Sequence, residues 1–400
     1  MRRYTFITSV YIVGLTAAFI CGARAENGAV FTYPEGRHKA GTLQRIGGLP
    51  VLIVQGTPEQ MGEQVGVLGG RPGARVTRYP RDLLLQVGAD WSWSTFVAAG
   101  RGMLARFPAH HRVELDAIIR HSGVDPDLCI AGNTIFDMKK LFACSSVLVD
   151  SERGQDGRIL FGRNFDFPSL NYLHEYTLVT VYRPTGKHAF ASIGFPCLVG
   201  VLSGMNDAGL AIAVHEAYMG ADRSAQFDPH GVPFALLVRR ILEECTTIEE
   251  AAELLRSAPR TTQLNLPIAD AKAVAILEVT SKNVVVRPAD CGVCFCTNHF
   301  LSESLRVREH RNTYETLDRY RALGMRTKAP KLGVADLQIA LHAANLGTLT
   351  LQTMIFEPKV RVLHLAIGGL PASGQPLRKL DLEPLFDESK NAKPSTTRTK

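Results

Sequence analysis

The sequence has little of what membrane-spanning, fibrous or disordered proteins require. Only 21% of its 400 residues are charged, and no fixed-period repeat is present. Beyond the first 25 residues no apolar stretch approaches the about 20 residues that a membrane-spanning helix needs. The formal net charge is only +7, and the basic residues are scattered. These absences exclude coiled-coil, collagen-like and polytopic membrane proteins and give no support for nucleic-acid binding. With 46% hydrophobic residues, the chain can form one large domain or two smaller ones.

Cysteine is present in moderate number, and its spacing is a weak indication of a metal site. The tightest cluster is Cys291-x-x-Cys294-x-Cys296, and no further ligand is obvious beyond His299. The cluster lies in an alternating, strand-like stretch, where cysteines often serve as small buried hydrophobic residues. We therefore expect a disulfide or buried thiols there, with no metal and no cofactor.

The N-terminus has the pattern of an export signal. Arg2 and Arg3 precede an apolar run over 10–20, and Ala23-Arg24-Ala25 follows as an A-x-A cleavage motif. The apolar run is short for a membrane anchor. We expect cleavage after Ala25, and a protein that is secreted or periplasmic.

The remaining chain predicts an α+β protein whose pattern changes at residue 143. Residues 26–143 look mostly helical after a strand at Leu49–Val54. Thr57 with Gln60 has the pattern of a capping box at a helix start. The stretch 91–122 predicts one or two amphipathic helices.

Strands dominate after residue 143. Cys144–Val149 and Arg158–Gly162 flank a polar turn and predict a hairpin. Further strands are expected at 176–182, 189–193, 209–214, 273–279, 283–286, 293–297, 348–357 and 361–367. Helices are expected at 233–244, 247–256, 303–323 and 334–344, and a polar tail at 387–400. This order favours antiparallel sheets flanked by helices.

Cys144 stands at the first residue of the predicted hairpin, where a cut in the chain would give it a base of its own. A free cysteine titrates near pH 8.5 and needs a base to become a thiolate. An α-amino group titrates at roughly 7.7–8.0. If the Ala143–Cys144 bond were cut, the amine of Cys144 could therefore take the proton of its own thiol.

A sequence resemblance points to the same chemistry. Cys144-Ser-Ser-Val-Leu-Val-Asp150 with the later Gly162-Arg-Asn-Phe-Asp166 resembles the cysteine N-terminal-nucleophile (Ntn) hydrolases, including acid ceramidase, N-acylethanolamine acid amidase, bile-salt hydrolase, penicillin V acylase and isopenicillin-N acyltransferase. Gly204–Leu210 and Thr297–Phe300 resemble later motifs of that group. The resemblance covers residues 144–300 well and 26–143 only in general character.

The resemblance implies both fold and organisation. The expected fold is a four-layer αββα sandwich with antiparallel sheets, preceded by a mostly helical propeptide. The implied organisation is a signal peptide at 1–25, a propeptide or α-subunit at 26–143, a catalytic β-subunit at 144–386 and a flexible tail at 387–400. The two fragments would stay bound to each other after Ala143–Cys144 cleavage, and the oligomeric state is left open.

Five catalytic residues carry over from the family. Cys144 would be the nucleophile and, after self-cleavage, the base. Arg163 would lower the pKa of the thiol, and Asp166 would bind or orient the α-amine. Asn298 would donate its amide hydrogens to the oxyanion. Glu216 matches a site glutamate of the ceramidase-like branch.

One residue and the substrate stay open at this point. That branch also uses a later arginine, and the sequence does not choose among Arg306, Arg308 and Arg311. The implied function is an autoproteolytic cysteine amidohydrolase or acyltransferase acting on a small N-acyl amide, with Trp91, Trp93 and Phe96 as candidates for the acyl pocket. The alternatives are a penicillin-type acylase or acyltransferase and a non-catalytic secreted binding domain.

Overall fold

The computed structural model describes residues 30–138, 142–307 and 312–387. The predicted export signal and residues 388–400 of the predicted tail lie outside these ranges. The strands, numbered in chain order, are β1 (Gly36–His38), β2 (Gly41–Ile46), β3 (Leu49–Gly56), β4 (Ala143–Val149), β5 (Leu160–Asp166), β6 (Leu178–Pro184), β7 (Phe190–Gly194), β8 (Ser203–Asn206), β9 (Ala211–Ala213), β10 (His215–Glu216), β11 (Leu264–Ala269), β12 (Val274–Val279), β13 (Val284–Pro288), β14 (Val293–Cys296), β15 (Thr350–Glu357), β16 (Val362–Ala366) and β17 (Arg378–Asp381).

Helices precede, interrupt and follow these strands. They are α1 (Pro58–Val76), α2 (Tyr79–Gln86), α3 (Trp93–Met103), α4 (Ala109–Ser122), α5 (Pro126–Met138), α6 (Phe234–Glu244), α7 (Ile248–Ser257), α8 (Thr316–Arg326), α9 (Val334–Ala343) and α10 (Glu383–Phe386). No helix within the described ranges is long and apolar enough to cross a bilayer.

The strands form two sheets. The larger has the order β1-β2-β3-β6-β7-β8-β9-β11-β12-β13, with β10 pairing β11, and the smaller has the order β14-β4-β5-β15-β16-β17. All pairings are antiparallel except that of β3 with β6, which is parallel. The expectation of antiparallel sheets is therefore wrong at this one pair, because β3 joins the larger sheet from the segment before residue 143.

The two sheets pack face to face and helices cover their outer faces. Val51 and Ile276 of the larger sheet share one apolar core with Phe161 and Met354 of the smaller sheet. Helices α1, α6 and α7 contact the outer face of the larger sheet, and α8 and α9 contact that of the smaller. This is the expected αββα sandwich. Strands β1–β3 and helices α1–α5 of the N-terminal segment are integral to it.

Local sequence signals explain the first helix. The Thr57 side chain accepts a hydrogen bond from the Gln60 backbone N–H, and the Gln60 side chain accepts one from the Thr57 N–H, so the capping box forms. Gly62 faces α4 so closely that a Cβ there would lie 2.4 Å from the carbonyl oxygen of Glu114. Only glycine permits this approach, which joins α1 to α4.

One predicted helix is largely wrong. The helix expected over 303–323 begins only at Thr316, and the described residues before it form turns. Tyr314 and Glu315 both have positive φ, of 50° and 53°, so the backbone reverses there before the helix starts. This turn sets the position of α8 against β14.

Candidate active site

Cys144 lies near the start of β4, the second strand of the smaller sheet, and is fully buried. It is the second residue of β4, opposite Phe165 of β5. On the other side, β14 pairs with β4 and ends with Cys296 opposite Ser146. Asn298 lies two residues beyond that end and so reaches the level of Cys144. The hairpin and β14 thus bring together side chains that are up to 154 residues apart.

Arg163 of β5 is the nearest cation to the thiol. Its Nη2 lies 3.2 Å from the Cys144 Sγ and 2.8 Å from the carbonyl oxygen of Val214. Its Nη1 donates to the carbonyl oxygen of Leu202 at 2.6 Å and also contacts the Ser203 hydroxyl. Burial raises the pKa of the Cys144 thiol, and the Arg163 charge opposes that rise. The guanidinium is held firmly enough to act on the sulfur as a fixed charge.

Asn298 contacts the backbone nitrogen of Cys144 through its oxygen. Its Oδ1 accepts from that N–H at 3.2 Å and from Nη2 of Arg319 at 2.7 Å. Its Nδ2 donates to the carbonyl oxygen of Glu216 at 2.8 Å. Since arginine can only donate, the Asn298 atom facing it must be the oxygen. The amide oxygen of Asn298 therefore binds the nitrogen of the Ala143–Cys144 peptide bond.

Asp166 ends β5 opposite Ala143. Its Oδ1 accepts from the Thr350 hydroxyl at 2.6 Å, while Oδ2 lies 3.8 Å from Nη1 of Arg319. This Oδ2 is buried and has no hydrogen-bond partner among the residues that the structure describes. Burial raises the pKa of the Asp166 carboxyl to about 6, against the lowering effect of Arg319. One carboxylate oxygen that accepts no hydrogen bond from the described residues thus lies close to the Ala143–Cys144 peptide bond.

Glu216 binds Phe142, the residue two positions before Cys144. Its Oε2 accepts from the Phe142 N–H at 3.2 Å. The Tyr218 hydroxyl donates to the Phe142 carbonyl oxygen at 3.3 Å. Both backbone polar groups of Phe142 are therefore held, which fixes the peptide leading into the Ala143–Cys144 bond.

Comparisons with known proteins show what parts of this chain are similar to. Residues 152–331 match the model of the family described as acyl-coenzyme A:6-aminopenicillanic acid acyl-transferase. That range contains Arg163, Asp166, Glu216 and Asn298. An N-acylethanolamine-hydrolyzing acid amidase of Caenorhabditis elegans is 24% identical over 158 residues, which are 37% of this chain and 44% of that protein. Part of the chain is thus similar to an acyl-transferase family and to an acid amidase.

The chain is also similar to a second curated protein, over a longer stretch, and to solved structures. An uncharacterized protein of Archaeoglobus fulgidus is 26% identical over 284 residues, which are 60% of this chain and 45% of that protein. The chain thus spans less than half the length of both of these relatives. Among solved structures, a single-residue variant of the conjugated bile acid hydrolase of Clostridium perfringens has a TM-score of 0.46 at 14% identity, covering 61% of this chain and 94% of that one. The C. elegans amidase ortholog has a TM-score of 0.41 at 16% identity, covering 54% and 93%.

The residue close to Cys144 that sequence reasoning missed is Arg319. Its Nη1 donates to the Cys144 carbonyl oxygen at 2.7 Å, and its Nε to the carbonyl oxygen of Tyr314 at 2.8 Å. Of the three expected candidates, Arg306 is exposed, and Arg308 and Arg311 lie outside the described residues. A signal for Arg319 existed. The buried positions of α8 are Thr316, Arg319 and Leu323, so an arginine stands in the inward stripe of an amphipathic helix.

An aromatic cluster around Phe142 and a small apolar cavity beside it lie near the Cys144 thiol. The Phe142 ring is fully buried, with its centroid 6.1 Å from those of Phe136 and Phe165 and 6.2 Å from that of Phe234. Beside this cluster is a narrow apolar cavity of about 40 Å³. Its walls include Val76, Tyr79, Ile135, Phe136, Phe167, Phe195 and Leu198.

The tryptophans proposed for the acyl pocket do not line that cavity. The exposed fraction of Trp91 is 73%. Trp93 and Phe96 stack on each other and pack against the helical core. Trp91 lies just before α3, Trp93 and Phe96 lie on it, and none of the three lines this cavity, so their part in an acyl pocket stays a prediction.

The cysteine cluster does not form a ligand set in the folded chain. Cys291 is exposed, whereas Cys294 and Cys296 are buried between the sheets, and no disulfide joins the cysteines that the structure describes. In the same ranges the one cluster with ligand spacing is His110, His111 and Glu243. The Lys187 ammonium already lies 2.7 Å from Oε2 of Glu243. A lysine thus stands where a cation would bind.

Proposed function

We propose that the chain is an autoproteolytically activated cysteine amidohydrolase or acyltransferase. It cleaves linear, non-peptide amides of the N-acyl amine or N-acyl amino acid type through a thioester. The observation that carries this proposal is the setting of one residue. The sulfur of Cys144 lies against a buried guanidinium, and its backbone nitrogen lies against an asparagine oxygen.

Self-cleavage would begin at the Ala143 carbonyl. The Cys144 sulfur adds to that carbon, the carbon–nitrogen bond breaks, and the thiol proton passes to the departing nitrogen. Water then hydrolyses the thioester, which frees the Ala143 carboxylate and the thiol. The new α-amine can stay bound to Oδ1 of Asn298 and donate a further hydrogen bond to Oδ2 of Asp166, which accepts none from the described residues.

Turnover would use the same atoms again. The free amine takes the thiol proton and the thiolate attacks the substrate carbonyl. The amine then returns the proton to the leaving nitrogen. The second hydrogen of the Asn298 Nδ2, beyond the one bound to Glu216, is the donor we assign to the oxyanion. Water or an acceptor amine then takes the acyl group.

The aromatic cluster supports an apolar acyl group. While the chain is uncut, Phe142 fills the space between Phe136, Phe165 and Phe234. Displacement of the cleaved end would open that space towards the neighbouring cavity. An acyl chain that buries about 100 Å² there would gain about 2–3 kcal/mol.

The N-terminal fragment would remain as a subunit. Arg239 of α6 is fully buried and donates to both carboxylate oxygens of Glu114 on α4, at 2.8 and 2.6 Å. Its Nε donates to Glu243 at 2.8 Å. Together with the parallel pairing of β3 and β6, this ion pair ties residues 30–138 to the rest of the molecule without a covalent link.

The decisive experiment is intact-mass measurement with N-terminal sequencing of the purified protein. We expect two chains, one beginning at Glu26 after export and one beginning at Cys144. The C144A variant should remain a single chain from Glu26, and C291A, which removes an exposed thiol, should be cut normally. A single uncut wild-type chain, or a C144A protein that still splits, refutes the proposal.

Acyl transfer is the variant of this function that the family match favours, since the matched family is described as an acyl-transferase. It is tested by adding a primary amine to an assay that follows release of the amine product from an N-acyl amide. Transfer predicts a new amide in the product mixture. Hydrolysis predicts free acid alone at every amine concentration.

A further inference from the structure

The loop after β14 carries Asn298 and is held by a side chain from the larger sheet. Asn265 of β11 donates through Nδ2 to the carbonyl oxygen of Thr297 at 3.2 Å and to that of His299 at 2.9 Å. These carbonyls flank Asn298 on both sides. One buried amide therefore fixes the backbone of the residue that binds the Cys144 nitrogen.

The next strand holds the following part of the same loop. Glu278 of β12 is the cross-strand neighbour of Asn265. Its two carboxylate oxygens accept from the backbone N–H groups of Leu301 at 3.0 Å and Ser302 at 2.9 Å. Arg287 of β13 donates to Glu278 at 3.1 Å and balances its charge. Residues 297–302 thus rest on polar side chains from adjacent strands.

The buried polar side chains of this arrangement lower the stability of the fold, so packing alone does not account for their presence. The side chains of Asn265 and Glu278 are both fully buried. The Asn265 Oδ1 has no hydrogen-bond partner among the described residues. A buried unsatisfied acceptor costs about 1–3 kcal/mol, and an apolar side chain would avoid that cost.

We propose that Asn265 and Glu278 are positioning residues that set where the Asn298 amide lies relative to the Cys144 nitrogen. This inference rests on the proposed function. The opposite side of Asn298 is held by α8, where the Thr316 hydroxyl accepts from the Asn298 N–H at 2.9 Å. The larger sheet and α8 together hold the loop that carries Asn298 in a single position. A displacement of about 1 Å at a catalytic group can cost of the order of 10²-fold in rate.

Asn206 supplies a matched control. It is also fully buried, and its Nδ2 donates to two backbone carbonyl oxygens, those of Leu242 at 3.0 Å and Cys245 at 2.8 Å. It lies at the end of β8 and contacts none of the site residues described above. N265A and N206A each remove two hydrogen bonds from Nδ2 to backbone carbonyl oxygens, and N206A also removes the one that its Oδ1 accepts from the Leu210 N–H at 2.9 Å. Only N265A loosens the loop of Asn298.

The first measurement is the rate at which newly made chains are cut, followed on gels after cell-free synthesis is stopped. We expect N265A to slow cutting by 10-fold or more and N206A to change it by less than 2-fold, although N206A removes one more hydrogen bond and should lower the melting temperature at least as much. E278Q, which keeps the shape but loses one acceptor oxygen, should slow cutting less than N265A. Equal rates for N265A and N206A would show that Asn265 is merely structural and overturn the inference.

The second measurement does not depend on cleavage. In the uncut C144A background, hydrogen exchange followed by mass spectrometry should rise at least 10-fold in the peptide covering 297–302 on N265A. It should stay unchanged there on N206A. Unchanged exchange on N265A overturns the positioning role even if the wild type is an active amidase. If the wild type is never cut but the peptide loosens as expected, the proposed function fails and the positioning of Asn298 stands.

Discussion

Asp166 makes the stability of the uncut chain depend on pH in an unusual direction. Its carboxyl is buried, and burial raises its pKa from the ordinary 3.8 to about 6. Between these values the folded chain holds a proton that the unfolded chain has lost. The free energy of unfolding therefore falls as the pH rises through this window, by about 3 kcal/mol in total. Above pH 6 both states are ionised, and this contribution becomes constant.

The D166N variant removes the proton-binding group and should remove this slope. Urea unfolding of C144A and C144A/D166N, measured between pH 3.5 and 7, should give curves that diverge by about 3 kcal/mol across the window, with the asparagine variant relatively more stable at the upper end. D116N, whose side chain is 45% exposed, is the control and should run parallel to the parent. If D166N also runs parallel to the parent, the Asp166 carboxyl does not take up a proton on folding and the reasoning is refuted.

Three further substitutions test the site and its support. R319K keeps a positive charge but cannot reproduce the forked hydrogen bonds of Arg319, so cutting should slow by about 100-fold on gels. F142A empties a fully buried aromatic site and should lower the free energy of unfolding in urea by about 3–5 kcal/mol. R239M leaves Glu114 and Glu243 without their arginine, which should cost about 3–5 kcal/mol and release the N-terminal fragment during gel filtration of cut protein.

Each of these three predictions has a control substitution whose result could contradict it. R321K changes an exposed arginine on the same helix and should be cut at the normal rate, and R319K cut as fast would remove Arg319 from the site. F227A changes a partly exposed phenylalanine and should cost far less than F142A. R240M disrupts a more exposed ion pair on α6. Equal fragment release from R240M and R239M would show that the buried ion pairs of Arg239 do not hold the N-terminal fragment.

The β4–β5 hairpin could be predicted from the sequence because its geometry depends on residues that are close in the chain. Alternating apolar residues with a polar turn fix an antiparallel register, and that register places Arg163 opposite Ser146, next to the thiol. The capping box at Thr57 was found for the same reason, since both partners lie within one turn of the chain. Asn298 was found through a motif at a strand end.

Arg319 and the parallel pairing of β3 with β6 depend on contacts between distant segments. Positive φ angles at Tyr314 and Glu315 delay the helix and aim Arg319 at the carbonyl of Cys144. No local pattern encodes that aim, because it follows from how α8 packs on β14 and β4. The same holds for Asn265, whose two acceptors are 32 and 34 residues away.

The sequence by itself determined the α+β pattern of strands and helices, the hairpin that begins near Cys144, and the residue types from which a thiol chemistry can be built. These follow from side-chain periodicity and short-range hydrogen bonds, which act over a few residues. Only the tertiary structure decided which arginine reaches the carbonyl of Cys144, which way the Asn298 amide points, and that Phe142 fills the apolar space beside the thiol. Those outcomes depend on the packing of two sheets and their covering helices, where burial and distance are set by the whole chain at once.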